Sequence, residues 1–234
     1  MRMRWWRSPY SRRAALAAVG AFVVSGCNTP PKRAIPAREF RGRTRVACVG
    51  DSITAGAGLA HPESSAYPAV LAQLLGNAYE VRNFGVSGAT LLKGGDHPYT
   101  ETGAFGQALE FLPRVVVIAL GTNDSKPQNW RFQNTFERDL YSMVRAFLAL
   151  PTQPIVYVCT PPTVFEDRWG ITSEITSGPI AATLRRAAIR EGWPLIDLEL
   201  ATRHSADAFP DGVHPDAVGA AHLAVTVEAA LRGR

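Results

Sequence analysis

The stretch VACVGDSITAG, residues 46–56, sets a serine directly after a run of apolar, strand-forming residues. Such a run predicts a buried β-strand, and the Gly-Asp-Ser that follows leads the chain out of it. A serine at the end of a buried strand stands on a rigid support with its hydroxyl facing a cleft. Ser52 is therefore a candidate nucleophile, although a serine at this place could also simply cap the next helix.

Short apolar runs alternate with longer helical patterns along the rest of the chain. The predicted strands are residues 45–50, 79–84, 115–120, 155–160 and 194–198. The predicted helices are residues 67–75, 136–150, 180–191 and 215–231, the last with Pro215 in its first turn. Apolar strands that alternate with helices predict an α/β fold, in which a parallel sheet is covered by helices on both faces. Ligands of such sheets bind beyond the carboxyl ends of the strands.

The charge of the chain is unevenly distributed, which argues against a nucleic-acid partner. Residues 1–45 hold eleven Arg or Lys and one acidic residue, a balance of +10. Residues 46–234 hold fourteen basic and nineteen acidic residues, a balance of −5. The predicted folded domain, residues 46–234, is thus mildly acidic, and the basic character belongs to the N-terminal segment.

The N-terminal segment predicts export. Arginines precede a short apolar run that ends at Val24-Ser25-Gly26-Cys27, a pattern that resembles a bacterial lipoprotein signal over residues 1–27. In that interpretation Cys27 is lipidated and anchors the protein in the cell envelope, in the periplasm or at the cell surface. A plain secretory signal is the alternative, and the paired arginines also resemble a twin-arginine signal. Residues 28–45, rich in Pro and Arg, are predicted to be a basic tether.

Four predicted loops after strands carry reactive or hydrogen-bonding groups. They contain GDSIT at residues 50–54, NFGVSG at 83–88, GTND at 121–124 and DGVH at 211–214. In this order and spacing, the blocks resemble those of the SGNH (GDSL) hydrolase family. The resemblance spans residues 46–231 and implies a three-layer α/β/α sandwich of flavodoxin-like type. It also implies ester hydrolysis without a metal or cofactor.

The resemblance assigns a role to each block. Ser52 matches the nucleophile, and Asp211 and His214 match the acid and the base. Ser52, Gly88 and Asn123 match the groups that form the oxyanion hole. The chemistry of the residues agrees, because a serine needs a base to take its proton and the base needs a carboxylate to fix its tautomer. We expect Asp124 to be a turn residue and Asp51 to hold the turn at Ser52.

Other residues have simpler interpretations. Ser87 lies in half of a G-x-S-x-G pattern, but Ala89 stands where that pattern requires glycine. Four histidines lack a motif and are expected to be surface or packing residues: His61, His97, His204 and His222. Their spacing predicts no metal site. A disulfide between Cys48 and Cys159 stays open.

The substrate is predicted from aromatic residues in the loops near Ser52. Trp130 follows the Asn123 block, and Trp169 lies in the loop after the fourth strand; aromatic rings with polar neighbours suit stacking on a sugar. The wider stretches resemble those of sialate O-acetylesterases and related glycan deacetylases. We therefore expect an esterase that removes O-acetyl groups from carbohydrates through an acyl-enzyme. The alternatives are a lysophospholipase or thioesterase for longer acyl chains, and a noncatalytic glycan-binding lipoprotein.

Overall fold

The structure, a computed structural model, describes residues 42–233. The signal segment with Cys27 and most of the tether lie outside the described residues. Over residues 42–233, no helix is both long enough and apolar enough to cross a membrane.

Five strands form one sheet in which every described pairing is parallel. They are β1 (Thr44–Gly50), β2 (Tyr79–Gly85), β3 (Val115–Ala119), β4 (Ile155–Cys159) and β5 (Leu195–Ile196). The strand order is β2-β1-β3-β4-β5, the order of flavodoxin-like folds. The predicted parallel sheet is therefore confirmed.

Helices connect the strands. The α-helices are α1 (Ser52–Ala55), α2 (Pro62–Ser65), α3 (Tyr67–Leu75), α4 (Gly103–Glu110), α5 (Pro127–Trp130), α6 (Phe136–Leu148), α7 (Ser173–Ile175), α8 (Ala181–Glu191), α9 (Leu198–Thr202) and α10 (Ala217–Leu231). Short 3₁₀ turns lie at Tyr99–Glu101, Asn123–Ser125, Gln133–Thr135 and Ala206–Ala208, and a π-helical turn lies at Thr176–Ile180.

The two faces of the sheet bury separate apolar clusters, because successive residues of a strand point to opposite sides. On one face Cys48 and Val117 pack with Leu71 of α3 and Leu223 of α10. The opposite face carries Val49 and Ile118 with residues of α4, α6 and α8. The molecule is thus a three-layer α/β/α sandwich, as predicted.

The register of the strands brings three loops to one edge of the sheet. Gly50, the last residue of β1, pairs with Gly85 of β2 on one side and with Ala119 of β3 on the other. These three strands therefore end at the same level. The loops that carry Ser52, Gly88 and Asn123 leave the sheet side by side.

Several predicted boundaries are wrong. The last helix begins at Ala217 and not at residue 215, because the Asp216 side chain accepts hydrogen bonds from Val218 N and Gly219 N and so caps the helix. The fifth strand ends at Ile196, because Asp197 caps α9. The first strand begins at Thr44, one residue earlier than predicted.

Cys48 and Cys159 are buried free thiols, which answers the open question of a disulfide. Cys48 lies in β1 and Cys159 in β4, and β3 runs between these strands. Two strand spacings of about 4.8 Å exceed the reach of a disulfide. Burial raises the pKa of Cys48 to about 12, so its reactive thiolate form is rare at neutral pH.

Candidate active site

Ser52 is the first residue of α1, directly beyond β1. The preceding residue, Asp51, caps this short helix by accepting a hydrogen bond from Ile53 N at 3.0 Å. The capping role that Ser52 could have had thus belongs to Asp51, as the sequence suggested for the turn. The Ser52 hydroxyl is left for another partner.

That partner is His214. Ser52 Oγ lies 2.8 Å from His214 Nε2, and His214 Nδ1 lies 2.9 Å from Asp211 Oδ2. A carboxylate can only accept, so Nδ1 carries the ring proton and Nε2 accepts from the serine hydroxyl. The residues are 162 positions apart in sequence, and the fold brings them into one hydrogen-bonded chain. This arrangement can move the Ser52 proton to His214.

Asp211 is held in the charged form that orients a base. Its Oδ1 accepts hydrogen bonds from His214 N at 2.6 Å and Val213 N at 2.9 Å. Partial burial alone would raise the pKa of Asp211, but these backbone bonds and the His214 ring outweigh it, and the pKa lies below its ordinary value. Asp211 therefore remains a carboxylate across the neutral pH range.

The turn between Asp211 and His214 depends on glycine. Gly212 has φ +79°, and a Cβ added there would lie 2.4 Å from Glu166 Cβ in the loop after β4. Its carbonyl accepts a hydrogen bond from Phe165 N at 2.8 Å. The loop after β4 thus supports the turn that carries the candidate acid and the candidate base.

Two of the three predicted oxyanion donors, Gly88 and Asn123, lie in neighbouring loops. Gly88 has φ +81°, a conformation that glycine adopts without strain. Asn123 is buried, and its Nδ2 donates to Ala89 O at 3.2 Å, in the residue next to Gly88. An amide nitrogen has two protons, so Asn123 keeps one for a ligand.

Asp124 ties these loops together, a function that the sequence did not reveal. It is fully buried, and its carboxylate accepts from Leu91 N at 3.0 Å and from Leu92 N at 2.7 Å. The interpretation of Asp124 as only a turn residue was incomplete. The partners are more than thirty positions away, and the sequence signal was only the acidic residue after Asn123.

A second buried amide, that of Asn129, is hydrogen-bonded to the backbone of Asn123. Asn129 Nδ2 donates to Asn123 O at 2.9 Å and to Asp96 Oδ1 at 2.9 Å. Asn129 Oδ1 accepts from Asp96 N at 2.8 Å. Helix α5 therefore fixes both the Asn123 backbone and the long loop after β2.

Asp51 and Asp124, which adjoin the candidate donors Ser52 and Asn123 in sequence, carry buried carboxyl groups. Burial raises the pKa of Asp51 to about 6 and that of Asp124 to about 7, and the charge of Asp51 further raises the second value. Hydrogen bonds from Leu91 and Leu92 act in the opposite direction on Asp124. Both groups are thus much easier to protonate than Asp211.

The two predicted substrate-binding tryptophans occupy different positions. Trp169 is 59% exposed, and the centroid of its ring lies 5.4 Å from that of the His214 ring. Trp169 also has φ +53°, which is unusual for a bulky residue. Trp130 packs at 5.8 Å against Phe136, and its other side lines a shallow cavity of about 260 Å³. Trp169 is thus next to the candidate base, whereas Trp130 is partly a core residue.

Within the described residues, neither Ser87 nor Asp207 is hydrogen-bonded to Ser52, His214 or Asp211. Ser87 is exposed, and Asp207, another carboxylate close to His214 in sequence, lies in the 3₁₀ turn before Asp211. Within the described part of the chain, no group of three or more His, Cys, Asp or Glu side chains could hold a metal ion.

A parallel α/β/α sandwich with a hydrogen-bonded Ser-His-Asp set beyond its strand ends defines a serine hydrolase of the SGNH type. The chain belongs to the GDSL-like lipase/acylhydrolase family, whose pattern it matches over residues 48–222. Members of this family are carboxylic ester hydrolases, as the sequence blocks indicated.

Similar proteins agree with this class. The chain is 37% identical over 218 residues to an acetylxylan esterase of Xylanibacter ruminicola, an alignment that covers 86% of this chain and 45% of that protein. The chain therefore spans about half the length of this curated relative. A structure assigned as an arylesterase from Agrobacterium tumefaciens matches with a TM-score of 0.67 and 26% identity, over 81% of this chain and 98% of the other. Est24, a carbohydrate acetylesterase from Sinorhizobium meliloti, shares the fold with a TM-score of 0.64 and 20% identity, over 80% and 97%.

Proposed function

We propose that this protein is an exported serine esterase that hydrolyses O-acetyl esters on carbohydrates. The observation that carries the proposal is the hydrogen-bonded chain from Ser52 through His214 to Asp211. It lies beside two groups that can bind a developing oxyanion, Gly88 and Asn123.

The reaction proceeds in two steps. His214 takes the Ser52 proton as Oγ attacks the ester carbonyl, and then gives a proton to the departing sugar hydroxyl. The Ser52 and Gly88 N–H groups and the Asn123 amide stabilise the oxyanion, each worth on the order of 10²–10³ in rate. Water, activated by His214, then hydrolyses the acetyl-Ser52 intermediate. Asp211 keeps its charge and stabilises the imidazolium throughout.

The choice of an acetylated carbohydrate rests on two supports. The relative from Xylanibacter ruminicola is an acetylxylan esterase, and the alignment with it covers 86% of this chain. The exposed Trp169 ring beside His214 offers a flat apolar surface, which suits stacking against a pyranose. Trp130, at the cavity beyond the Asn123 loop, is the second proposed sugar contact.

Acetylated xylooligosaccharides are the direct test. Purified protein should release acetate from them, with kcat/KM at least as high as on p-nitrophenyl acetate. On p-nitrophenyl esters, acetate should be the best substrate. A preference for octanoate or longer chains would instead favour the lysophospholipase or thioesterase alternative. Failure of Ser52 to react with a fluorophosphonate probe would favour the noncatalytic alternative.

The Trp169→Ala variant tests the sugar surface separately. We expect KM for acetylated xylooligosaccharides to rise about tenfold, because stacking contributes on the order of 1 kcal/mol. Trp193→Ala is the matched control, since Trp193 packs against Tyr141 instead. An equal loss in both variants would contradict the proposed contact.

The cell envelope is the proposed location, with a lipid anchor at Cys27. The support is the sequence pattern of residues 1–27. In a bacterial host with lipoprotein processing, Cys27→Ser should release the protein from membranes into the soluble fraction. A wild-type protein that is itself soluble in that host would contradict the anchor and leave the esterase proposal intact.

A further inference from the structure

His97 lies next to Gly88, although its sequence surroundings predicted only a surface or packing residue. Apart from chain neighbours, one heavy atom of the described residues lies within 4 Å of where a Cβ on Gly88 would be. That atom is His97 Nδ1, at 3.6 Å. The open space in front of Gly88 is thus bordered by an imidazole ring.

The backbone of His97 is held on both sides. Its carbonyl accepts from Thr90 N at 2.9 Å, and the Thr90 carbonyl accepts from Tyr99 N at 2.9 Å. On the other side, Asp96 N donates to Asn129 Oδ1 at 2.8 Å. The buried Tyr99 hydroxyl also donates to Phe84 O at 2.6 Å, at the end of β2. The loop therefore presents His97 beside Gly88 from a fixed position.

The His97 side chain is exposed, and its two ring nitrogens can contact a ligand. Within residues 42–233 it makes no hydrogen bond or ion pair. The neighbouring carboxylate of Asp96 is directed away, since it accepts from Gln128 at 3.1 Å and from Asn129 at 2.9 Å. A neutral imidazole has one donor and one acceptor nitrogen, which matches the donor and acceptor character of a sugar hydroxyl.

We infer that His97 is a specificity-determining residue that hydrogen-bonds a hydroxyl group of the sugar bearing the acetyl ester. The inference rests on the proposed function and goes further, since it assigns the sugar a polar contact. With the ester carbonyl against Gly88 and Asn123, groups attached close to that carbonyl come within reach of His97. Trp169 lies beside His214, so the sugar would have an aromatic contact near the base and a polar contact near the oxyanion.

The test compares two acetyl esters that differ in the leaving group. Partially acetylated xylooligosaccharides carry free hydroxyls next to the ester, whereas p-nitrophenyl acetate carries none. For His97→Ala, the ratio of kcat/KM on the sugar ester to that on p-nitrophenyl acetate should fall about fivefold to tenfold, the size of a neutral hydrogen bond. His97→Gln, which keeps a donor and an acceptor, should recover part of that ratio.

The control is His204→Ala, at an exposed histidine after α9. It should leave the ratio unchanged. An unchanged ratio in His97→Ala, with a wild type active on both esters, overturns the inference alone. A wild type active on p-nitrophenyl acetate and inactive on acetylated sugars overturns the proposed substrate, and this inference with it.

Discussion

The two halves of the candidate active site differ in the burial of their carboxylates. The donor half, with Ser52, Gly88 and Asn123, rests on Asp51 and Asp124, which are 1% and 0% exposed. In the base half, the Asp211 side chain is 28% exposed and next to His214. The pKa values move in opposite directions, up for the two buried groups and down for Asp211.

The difference follows from what each half must do. Donors to an oxyanion work best when they are fixed in a region of low dielectric, where no water has to reorganise. Asp124 fixes them by crosslinking two loops, and Asp51 by capping the helix that begins at Ser52. A base needs a permanently charged neighbour, which partial exposure and backbone hydrogen bonds provide. One edge of the sheet thus combines a rigid buried half with a more accessible charged half.

The largest expected effect concerns Ser52, which belongs to the donor half and is hydrogen-bonded to His214 of the base half. Ser52→Ala removes the nucleophile and should lower turnover of acetyl esters on the order of 10⁴-fold or more, while the fold persists. Steady-state kinetics measure the turnover, and a circular dichroism spectrum checks that the variant is folded. Ser87→Ala, at the exposed serine before Gly88, is the control and should cost little. Near wild-type activity of Ser52→Ala would contradict the assignment of Ser52 as the nucleophile.

Asp211→Asn tests the base half on its own. The amide cannot stabilise the imidazolium, so kcat/KM should fall on the order of 10³-fold. The measurement is the steady-state kinetics of wild type and variant on a small acetyl ester.

A loss of less than tenfold in Asp211→Asn would contradict the role of Asp211 as the partner of His214. Asp207 would then be the carboxylate to replace next. His214→Ala should remove nearly all activity.

Asp124→Asn tests the crosslink of the donor half. Asparagine can accept only one of the two N–H groups of Leu91 and Leu92, so the Gly88 loop should shift. We expect kcat to fall about tenfold with KM nearly unchanged, because the loss concerns the transition state. Asp139→Asn is the matched control, since Asp139 is also buried and accepts from Lys93 N at 3.1 Å, further along the same loop. Equal losses of kcat in both variants would mean general loosening of the loop.

Local features of the fold were predicted well from the sequence, whereas contacts between residues far apart in the chain were not. Strands β1, β3 and β4 were found within a residue or two, because buried parallel strands are continuous apolar runs. Helix α4 was missed, since Gly103 and Gly106 weaken its helical pattern. The contacts of Asp124 and His97 depend on residues brought together only by folding. No spacing pattern in the sequence indicates these contacts, and they could not have been predicted from one sequence.

The smallest expected effect concerns Asp51 and is a change in stability. Its pKa rises from 3.8 to about 6 in the fold because of burial, so the folded protein holds this proton more tightly than the unfolded chain. The resulting stability is present below pH 3.8 and is lost as pH rises through about 6. A shift of this size corresponds to a contribution of about 3 kcal/mol.

Asp51→Asn removes this titration and keeps the oxygen that accepts from Ile53 N. Relative to wild type, the variant should therefore gain stability as pH rises from 4 to 7, reaching about 3 kcal/mol in the free energy of unfolding. The gain should be visible because Asp51 is 1% exposed, and burial disfavours the charged form of its carboxyl group. Urea unfolding of both proteins across this range measures it, with Asp216→Asn at the less buried cap of α10 as control. Parallel stability profiles would mean that Asp51 titrates in the fold as it does in the unfolded chain. The donor half would then carry a stable negative charge, and the contrast with Asp211 would be one of burial alone.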